Sequence, residues 1–339
     1  MPTIYIAGSS SGSGATAVAT GIATLLMKYG QKVTVAKALR VDSSTSQDSD
    51  TAFHQEIFPN NVAPDGWPFV LKQLPAIGSL DEVVSNLKKE PLSQGVMIVE
   101  GVSGDISDND RHQIDATLAR ALEARVILVS NDASPSAAQV LSGQLTGIIV
   151  NRVPVHSMHD VETVSAARSQ REGIPVLGLL PESRRMLSPN VSEVAEHLGA
   201  ELINRTALTS PEIQLGELVE HFMLGGWFLD QGSYVFGRRE NKAVIVRGDR
   251  PDLQMAALDT PTVCLILTNG KLPVQYIMHH AKLRQTPILA TQVGTLETME
   301  RLSNIGERIT FHSAHKVQHF AALLEAYCNI DSLTSLAAI

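Results

Sequence analysis

Short apolar runs, each followed by a stretch with apolar residues at three- and four-residue spacing, set the rhythm of the first two thirds of the chain. Thr3–Ala7, Lys32–Ala36, Val96–Val99, Arg125–Val129, Gly147–Val150 and Val176–Leu180 are rich in β-branched residues and lack polar alternation. Runs of this kind predict strands buried on both faces, hence a parallel sheet. Ala17–Tyr29, Ser79–Lys89, Asp115–Glu123, Asp160–Glu172 and Val191–Leu198 carry the helical spacing between them. The alternation predicts a doubly wound α/β domain over residues 1–204.

Between Asn204 and Glu212 the periodicity lapses into Thr, Ser and Pro, which predicts a linker over residues 205–212. Beyond it, residues 213–330 resume the alternation. Ile213–Met223 reads as a helix ending at Gly225-Gly226, and Ala243–Val246, Thr262–Leu267, Pro287–Ala290 and Arg308–Phe311 read as strands. This predicts a second, smaller α/β domain.

Composition narrows the function classes. The chain has 339 residues, 44% hydrophobic, enough for a core in each half. A formal net charge of −8 with no basic block argues against a nucleic-acid partner. Two cysteines, Cys264 and Cys328, do not make a disulfide framework or a metal-ligand motif. The N-terminus lacks a basic segment followed by a long apolar run, and no stretch of about 18 apolar residues occurs. The expectation is a cytoplasmic protein with no membrane partner. The histidines His279, His280, His312, His315 and His319 are expected at the surface; of these, His315 and His319 share a helical spacing.

The chemistry concentrates after the first strand. Gly8-Ser9-Ser10-Ser11-Gly12-Ser13-Gly14-Ala15-Thr16 separates a predicted strand from a predicted helix. Strand, glycine-rich turn and helix together present backbone N–H groups and a helix N-terminus to a phosphate. A P-loop carries a lysine immediately before the Ser or Thr, reaching the β- and γ-phosphates. Here Ala15 stands in that place, while Thr16 keeps the hydroxyl. Asp50 and Glu100 follow two other strands, where ligands of open parallel sheets bind. A hydroxyl and two carboxylates form a hard-oxygen set suited to Mg²⁺. Asp50 reads equally well as a helix N-cap. Lys37 is either an ordinary strand-end lysine or a replacement for the absent loop ammonium. Asn131, Asp132, Asn151 and Arg152 follow later strands, where an Asn can meet a nucleobase edge or simply shape a turn. In the second domain, Gly248-Asp249-Arg250-Pro251-Asp252 and Thr268-Asn269-Gly270 each follow a strand. Asp249, Arg250, Asp252 and Thr268 are ligand candidates; a self-satisfied ion-pair corner is the alternative and the favoured reading of the first turn.

Taken in order, these motifs resemble a known pairing. Gly8-x5-Gly14-x-Thr16, Val35-Ala36-Lys37, Asp48-Ser49-Asp50, Val99-Glu100-Gly101-Val102-Ser103-Gly104, Gly147-Ile148-Ile149-Val150-Asn151-Arg152 and Val176-Leu177-Gly178-Leu179-Leu180-Pro181-Glu182 resemble the dethiobiotin synthetase-like branch of P-loop proteins, over most of residues 1–204. Gly248-Asp249-Arg250-x-Asp252 with Thr268-Asn269-Gly270 resembles the DRTGG domain, with Asn269 where that pattern has Gly. The two in this order are similar to the region that precedes the catalytic domain of long phosphotransacetylases.

The resemblance implies a P-loop-NTPase-like fold followed by a DRTGG-like domain. It implies ATP or another nucleotide with Mg²⁺ as cofactor, held by Gly8 to Thr16, Lys37 and Asn151, with Thr16, Asp50 and Glu100 on the metal. The phosphotransacetylase version also tends to lack the loop lysine, so Ala15 favours that branch over the synthetase. A chain ending at Ile339 leaves no room for the acetyl-transfer domain, and no catalytic residue is assigned. The leading expectation is a non-catalytic regulatory or ligand-binding protein acting on a metabolic enzyme. The alternatives are an ATP- and Mg-dependent ligase of the dethiobiotin synthetase type and a scaffolding subunit without a small-molecule site. A homo-oligomer is expected because DRTGG-type domains resemble modules that associate, with the apolar patch Phe320-Ala321-Ala322-Leu323-Leu324 as mild support.

Overall fold

A computed structural model of the chain describes residues 2–41, 49–59, 61, 69–71, 80, 84–85, 95–133, 135–226 and 232–337. The strands, in chain order, are β1 Thr3–Gly8, β2 Val33–Lys37, β3 Leu39–Val41, β4 Phe69–Leu71, β5 Val96–Glu100, β6 Ser103–Gly104, β7 Arg125–Ser130, β8 Leu145–Val153, β9 Val176–Pro181, β10 Glu201–Leu202, β11 His221–Leu224, β12 Lys242–Arg247, β13 Thr262–Thr268 and β14 Ile288–Ala290. The chain folds as two units, Met1–Glu182 with Val317–Ile339, and Ser183–Lys316. Most of the predicted helix Ser79–Lys89, and Asp48, lie outside the described residues.

In the first unit six strands form a parallel sheet in the order β2-β5-β1-β7-β8-β9. All six correspond to the apolar runs read from the sequence. The reason for their unbroken hydrophobicity is burial on both faces. On β1, Tyr5 and Ala7 join the core on one side with Leu118 and Val126, while Ile4 and Ile6 are equally buried on the alternate positions. A small parallel sheet, β4-β3-β6, sits in the same unit.

Helix Ala15–Lys28 follows β1 and buries Val18, Ile22, Leu25 and Leu26. Its Gly21 faces the C-terminal part of helix Ala314–Tyr327: a Cβ there would lie 2.7 Å from Leu324 Cδ1 and 2.9 Å from Phe320 Cδ1. Lys28 pairs with Glu325 at 2.7 Å along the same seam, and Arg125 donates to the carbonyls of Ser335 and Leu336. Phe320, Ala321 and Leu324 are therefore buried within this unit. The patch expected to support self-association is consumed by packing inside the chain.

The second unit is built on the order β10-β14-β13-β12-β11, parallel except for β10 against β14. Successive residues of one strand feed opposite cores: Ala243, Ile245, Cys264 and Ile266 on one face, Val244, Val246, Leu265 and Leu267 on the other.

Three expectations from the sequence differ here. Ile213–Met223 is not one helix. Helix Pro211–Gly216 stops where Glu217 turns extended, Val219 N–H donates to Pro189 carbonyl, and β11 pairs in parallel with β12. Pairing with a neighbouring strand outweighs the helical spacing of Leu215, Val219 and Phe222. Arg308–Phe311 is not a strand: Ile305–Arg308 is a 3-10 turn, and Thr310 gives its N–H and hydroxyl to Glu193 Oε1, at 3.3 and 3.0 Å. The residues expected as a linker lie inside the second unit and contain the 3-10 turn Arg205–Ala207 and the start of helix Pro211–Gly216. Asn204, just before them, is buried, donating to Thr286 carbonyl and accepting from Ile288 N–H, each at 2.9 Å.

Candidate functional site

The carboxyl ends of β2, β5 and β1 lie side by side. Register pairs Lys37 with Glu100 and Ile6 with Glu100, so the chain leaving β1 at Gly8 starts beside those two charged residues. This adjacency brings together side chains that are far apart in sequence.

The loop Gly8–Thr16 is held by main-chain and side-chain contacts from neighbouring strands and helices. Ser9 N–H donates to Val129 carbonyl at 2.9 Å, and Ser9 carbonyl accepts from His112 Nε2 at 2.9 Å. Asn151 Nδ2 donates to Ser13 carbonyl at 3.0 Å in a buried contact. The loop passes so close that a Cβ on Gly14, whose φ is 100°, would lie 2.3 Å from Asn151 Nδ2. Glycine is required there by conformation and by space. Asn151 reaches this point because β8 is irregular between Val150 and Val153, with Arg152 at φ 56°. Its Oδ1 accepts from Arg152 N–H, so both ends of the amide are used within the protein. Helix Ala15–Lys28 begins at Gly14 with no side-chain cap and no acidic residue in its first turn. Its first N–H groups carry the positive end of the helix dipole towards the loop.

Beside the loop is a buried polar cluster. Thr16 Oγ1 donates to Glu100 Oε1 at 2.6 Å, the short distance of a hydroxyl on a carboxylate. Lys37 Nζ forms an ion pair with Asp50 Oδ2 and stands 3.5 Å from Glu100 Oε1. His54 Nε2 stands 3.5 Å from Glu100 Oε2. The Lys37 side chain is fully buried and Glu100 nearly so. Thr16, Lys37, Asp50 and Glu100, each proposed from sequence, are thus brought together. Ala15 remains where a loop lysine would stand. Among the described residues no group of three or more His, Cys, Asp or Glu is arranged to hold a metal ion.

Behind Glu100 lies a pair that sequence reading missed. Asp115, fully buried on helix Asp108–Ala121, accepts at Oδ1 from Tyr5 hydroxyl at 2.8 Å and Val102 N–H at 2.9 Å. Burial pushes its carboxyl up to about 7, against the opposing pull of those two hydrogen bonds and of Arg111. It also pushes the Tyr5 phenol well above its ordinary value, with Asp115 adding to the effect. The pair anchors the turn Gly101–Ser103 that follows Glu100. The only sequence signal was an Asp on an otherwise buried helix face.

In the second unit, Asp249 is gripped by Arg247 at 2.7 Å and Lys271 at 3.2 Å, and Arg250 pairs with Asp252 at 2.7 Å. These contacts hold the Asp249 and Asp252 carboxyls below their ordinary values and raise the Arg250 guanidinium. The buried amide of Gln254 donates to the carbonyls of Arg247 and Gly248, closing the turn from beneath. Thr268 meets Thr295, hydroxyl to hydroxyl, at 2.8 Å. Arg250 and Asp252 therefore pair within the turn, Asp249 pairs with Arg247 and Lys271 outside it, and Thr268 belongs to the neighbouring turn. Arg247 and Lys271, which complete the arrangement, were not singled out from sequence.

Fold and loop together define a P-loop-like α/β protein with a second α/β unit, the loop closed by its own glycines and by Asn151. Residues 2–190 match the AAA domain model AAA_26, and the chain belongs to that family; residues 193–305 match the DRTGG domain. The chain is homologous to the N-terminal region of phosphate acetyltransferases. It is 24% identical over 384 aligned positions to the phosphate acetyltransferase of Acinetobacter baylyi, covering 99% of this chain and 52% of that protein. It is 30% identical to the cobyrinate a,c-diamide synthase of Listeria monocytogenes, over 65% of this chain and 48% of that protein. The chain spans about half the length of these curated relatives. Among solved structures, the MinD cell division protein of Aquifex aeolicus aligns with a TM-score of 0.36 and 16% identity, over 55% of this chain and 85% of that one. No helix among the described residues is long and apolar enough to cross a membrane.

Proposed function

We propose that this chain is a regulatory, ligand-binding protein whose loop Gly8–Thr16 receives the phosphate groups of a small ligand, a nucleotide being the expected class, without transferring them. The observation that carries the reading is the fate of positive charge at the site. The loop is closed and its helix N-terminus uncapped, as binding requires. Yet the loop position of the lysine is Ala15, and the nearby ammonium, on Lys37, is engaged by Asp50 and Glu100. Phosphoryl transfer depends on cations stabilising charge in the transition state. Losing one such contact weighs on turnover more than on docking. Homology to phosphate acetyltransferases supports a role beside phosphate-dependent acyl transfer, with the enzyme of that reaction as partner.

The convergence of Thr16, Lys37, Asp50 and Glu100 favours one second reading, a Mg-dependent ligase of the dethiobiotin synthetase type. Calorimetry of ATP, ADP and pyrophosphate on the full chain, beside an assay of phosphate release, separates the two. The regulatory reading expects binding that Gly14→Val abolishes, and no turnover above the Asp50→Asn/Glu100→Gln background. Phosphate release clearly above that background overturns it in favour of the ligase.

A further inference from the structure

The geometry points to the ammonium of Lys37 standing in for the divalent cation of a P-loop site: we propose that the loop binds its phosphate ligand as the metal-free anion. The inference deepens the reading of Gly8–Thr16 as a phosphate site and rests on it for the ligand, though not for the metal.

Mg²⁺ in such a site would take oxygens from the Thr16 hydroxyl and from Asp50 and Glu100, keep some of its waters, and bridge to phosphate. The oxygens are all present. What does not fit is the space between them. Lys37 Nζ lies against Asp50 Oδ2 and 3.5 Å from Glu100 Oε1, and that same Glu100 oxygen accepts the Thr16 hydroxyl at 2.6 Å. The two carboxylates are already gathered around a positive charge that is covalently tethered to β2, and the Thr16 hydroxyl is already given to one of them.

Lys37 is also confined. Its side chain is fully buried, and β2 is paired residue by residue with β5 through Lys37 and Glu100. A metal ion entering the cluster would either force the ammonium away from its two carboxylates or share them with it. The first strands a buried charge. The second places like charges side by side. Mg²⁺, which gives up its hydration reluctantly, gains little from a pair of carboxylates already neutralised in part.

For an incoming phosphate the ammonium supplies part of what the metal would. With Lys37 in place, the set Lys37, Asp50 and Glu100 carries one net negative charge rather than two, lowering the repulsion an anion meets. The attractive contacts come from the loop N–H groups and the helix N-terminus, neither of which needs a metal. The selected ligand is therefore a phosphate or pyrophosphate anion uncomplexed with metal.

Mn²⁺, followed by its electron paramagnetic resonance signal, tests the metal half without any phosphate ligand. The inference expects the unmodified protein to bind no more Mn²⁺ than its Glu100→Gln variant. It expects Lys37→Met to gain one site per chain that Mg²⁺ displaces, and Lys37→Met/Glu100→Gln to lose it. A stoichiometric site in the unmodified protein, lost on Glu100→Gln, overturns the inference, as does a folded Lys37→Met protein that gains none. Should Lys37→Met fail to fold, the unmodified protein still decides. Its apparent affinity for ADP or pyrophosphate is expected to be lower in millimolar Mg²⁺ than in EDTA, because Mg²⁺ draws the free anion into its complex, and an equal or higher affinity with Mg²⁺ overturns the inference. If neither anion binds in either medium, the phosphate reading of the loop falls, and Mn²⁺ binding alone decides whether Lys37 occupies the place of a metal.

Discussion

Asn151, near the end of β8, donates its side-chain amide to the main-chain carbonyl of Ser13, 138 positions earlier, at 3.0 Å. Between them they fix the last turn of the loop before helix Ala15–Lys28. The contact explains why Gly14 has no room for a Cβ, and it commits one N–H of the Asn151 amide, read from the sequence as either a nucleobase contact or a turn former, to the loop itself.

Asn151→Ala leaves a buried carbonyl without its donor, and unfolding in urea is expected to show a loss of about 1–3 kcal/mol. Asn151→Asp places a carboxylate against the Ser13 carbonyl and is expected to cost more. Calorimetry with pyrophosphate is expected to show weaker binding in both. A variant as stable as the parent would mean the latch is not formed in solution.

Ala15→Lys restores an ammonium at the start of the helix. A charge-assisted hydrogen bond to phosphate contributes about 1.5–3 kcal/mol, so affinity for pyrophosphate is expected to rise by roughly tenfold or more. An unchanged dissociation constant would show that bound phosphate does not lie within reach of position 15.

Asp115 gives the fold a pH dependence of known sign. Its carboxyl titrates near 7 in the folded protein, well above its unfolded value of 3.8. Below pH 4 both states are protonated and the group has no effect. Between about 4 and 7 only the unfolded chain ionises, so stability falls as pH rises; above 7 the penalty is constant, on the order of 4 kcal/mol. Asp115→Asn keeps an Oδ1 acceptor for Tyr5 and Val102 but cannot ionise. The stability of Asp115→Asn relative to the parent is therefore expected to improve steadily from pH 4 to 7 in urea titrations. A pH-independent difference would place the native carboxyl at its ordinary value.

Gly21 tests the seam between helices Ala15–Lys28 and Ala314–Tyr327. In an open helix Gly→Ala gains about 1 kcal/mol. Here the added methyl meets Phe320 and Leu324 below 3 Å in a closed core, where overpacking costs about 1–3 kcal/mol. The expected net result is a lower melting temperature for Gly21→Ala and a larger drop for Gly21→Val. A gain in stability would show that the two helices do not meet at Gly21.

What could be read from the sequence depended on burial symmetry. β1, β5, β7, β12 and β13 are covered on both faces, so their inner residues run apolar without polar alternation and stand out. β11 lies at the edge of its sheet, and Val219 and Phe222 around it fit a helical stripe equally well; only its pairing with β12 decides. At the site, strand ends nominated Lys37 and Glu100, and the polar stretch after the second strand nominated Asp50, which read equally well as a helix N-cap and stands in the first turn of helix Ser49–Ile57. Whether Lys37 would face the phosphate or the carboxylates depends on a few ångströms that no pattern encodes. The same limit applies to Phe320 and Leu324: spacing announces an apolar helix face, but not that Gly21 is what it covers.

The route of the chain has a consequence for how the protein is made. Residues Phe320, Leu324, Leu333 and Leu336, supplied from the far end, are buried in the unit that contains the loop. On the ribosome, the half bearing Gly8–Thr16 emerges first yet waits for its last wall, while the contiguous Ser183–Lys316 has all its residues available earlier. The second-born half is thus free to close before the first-born one is complete.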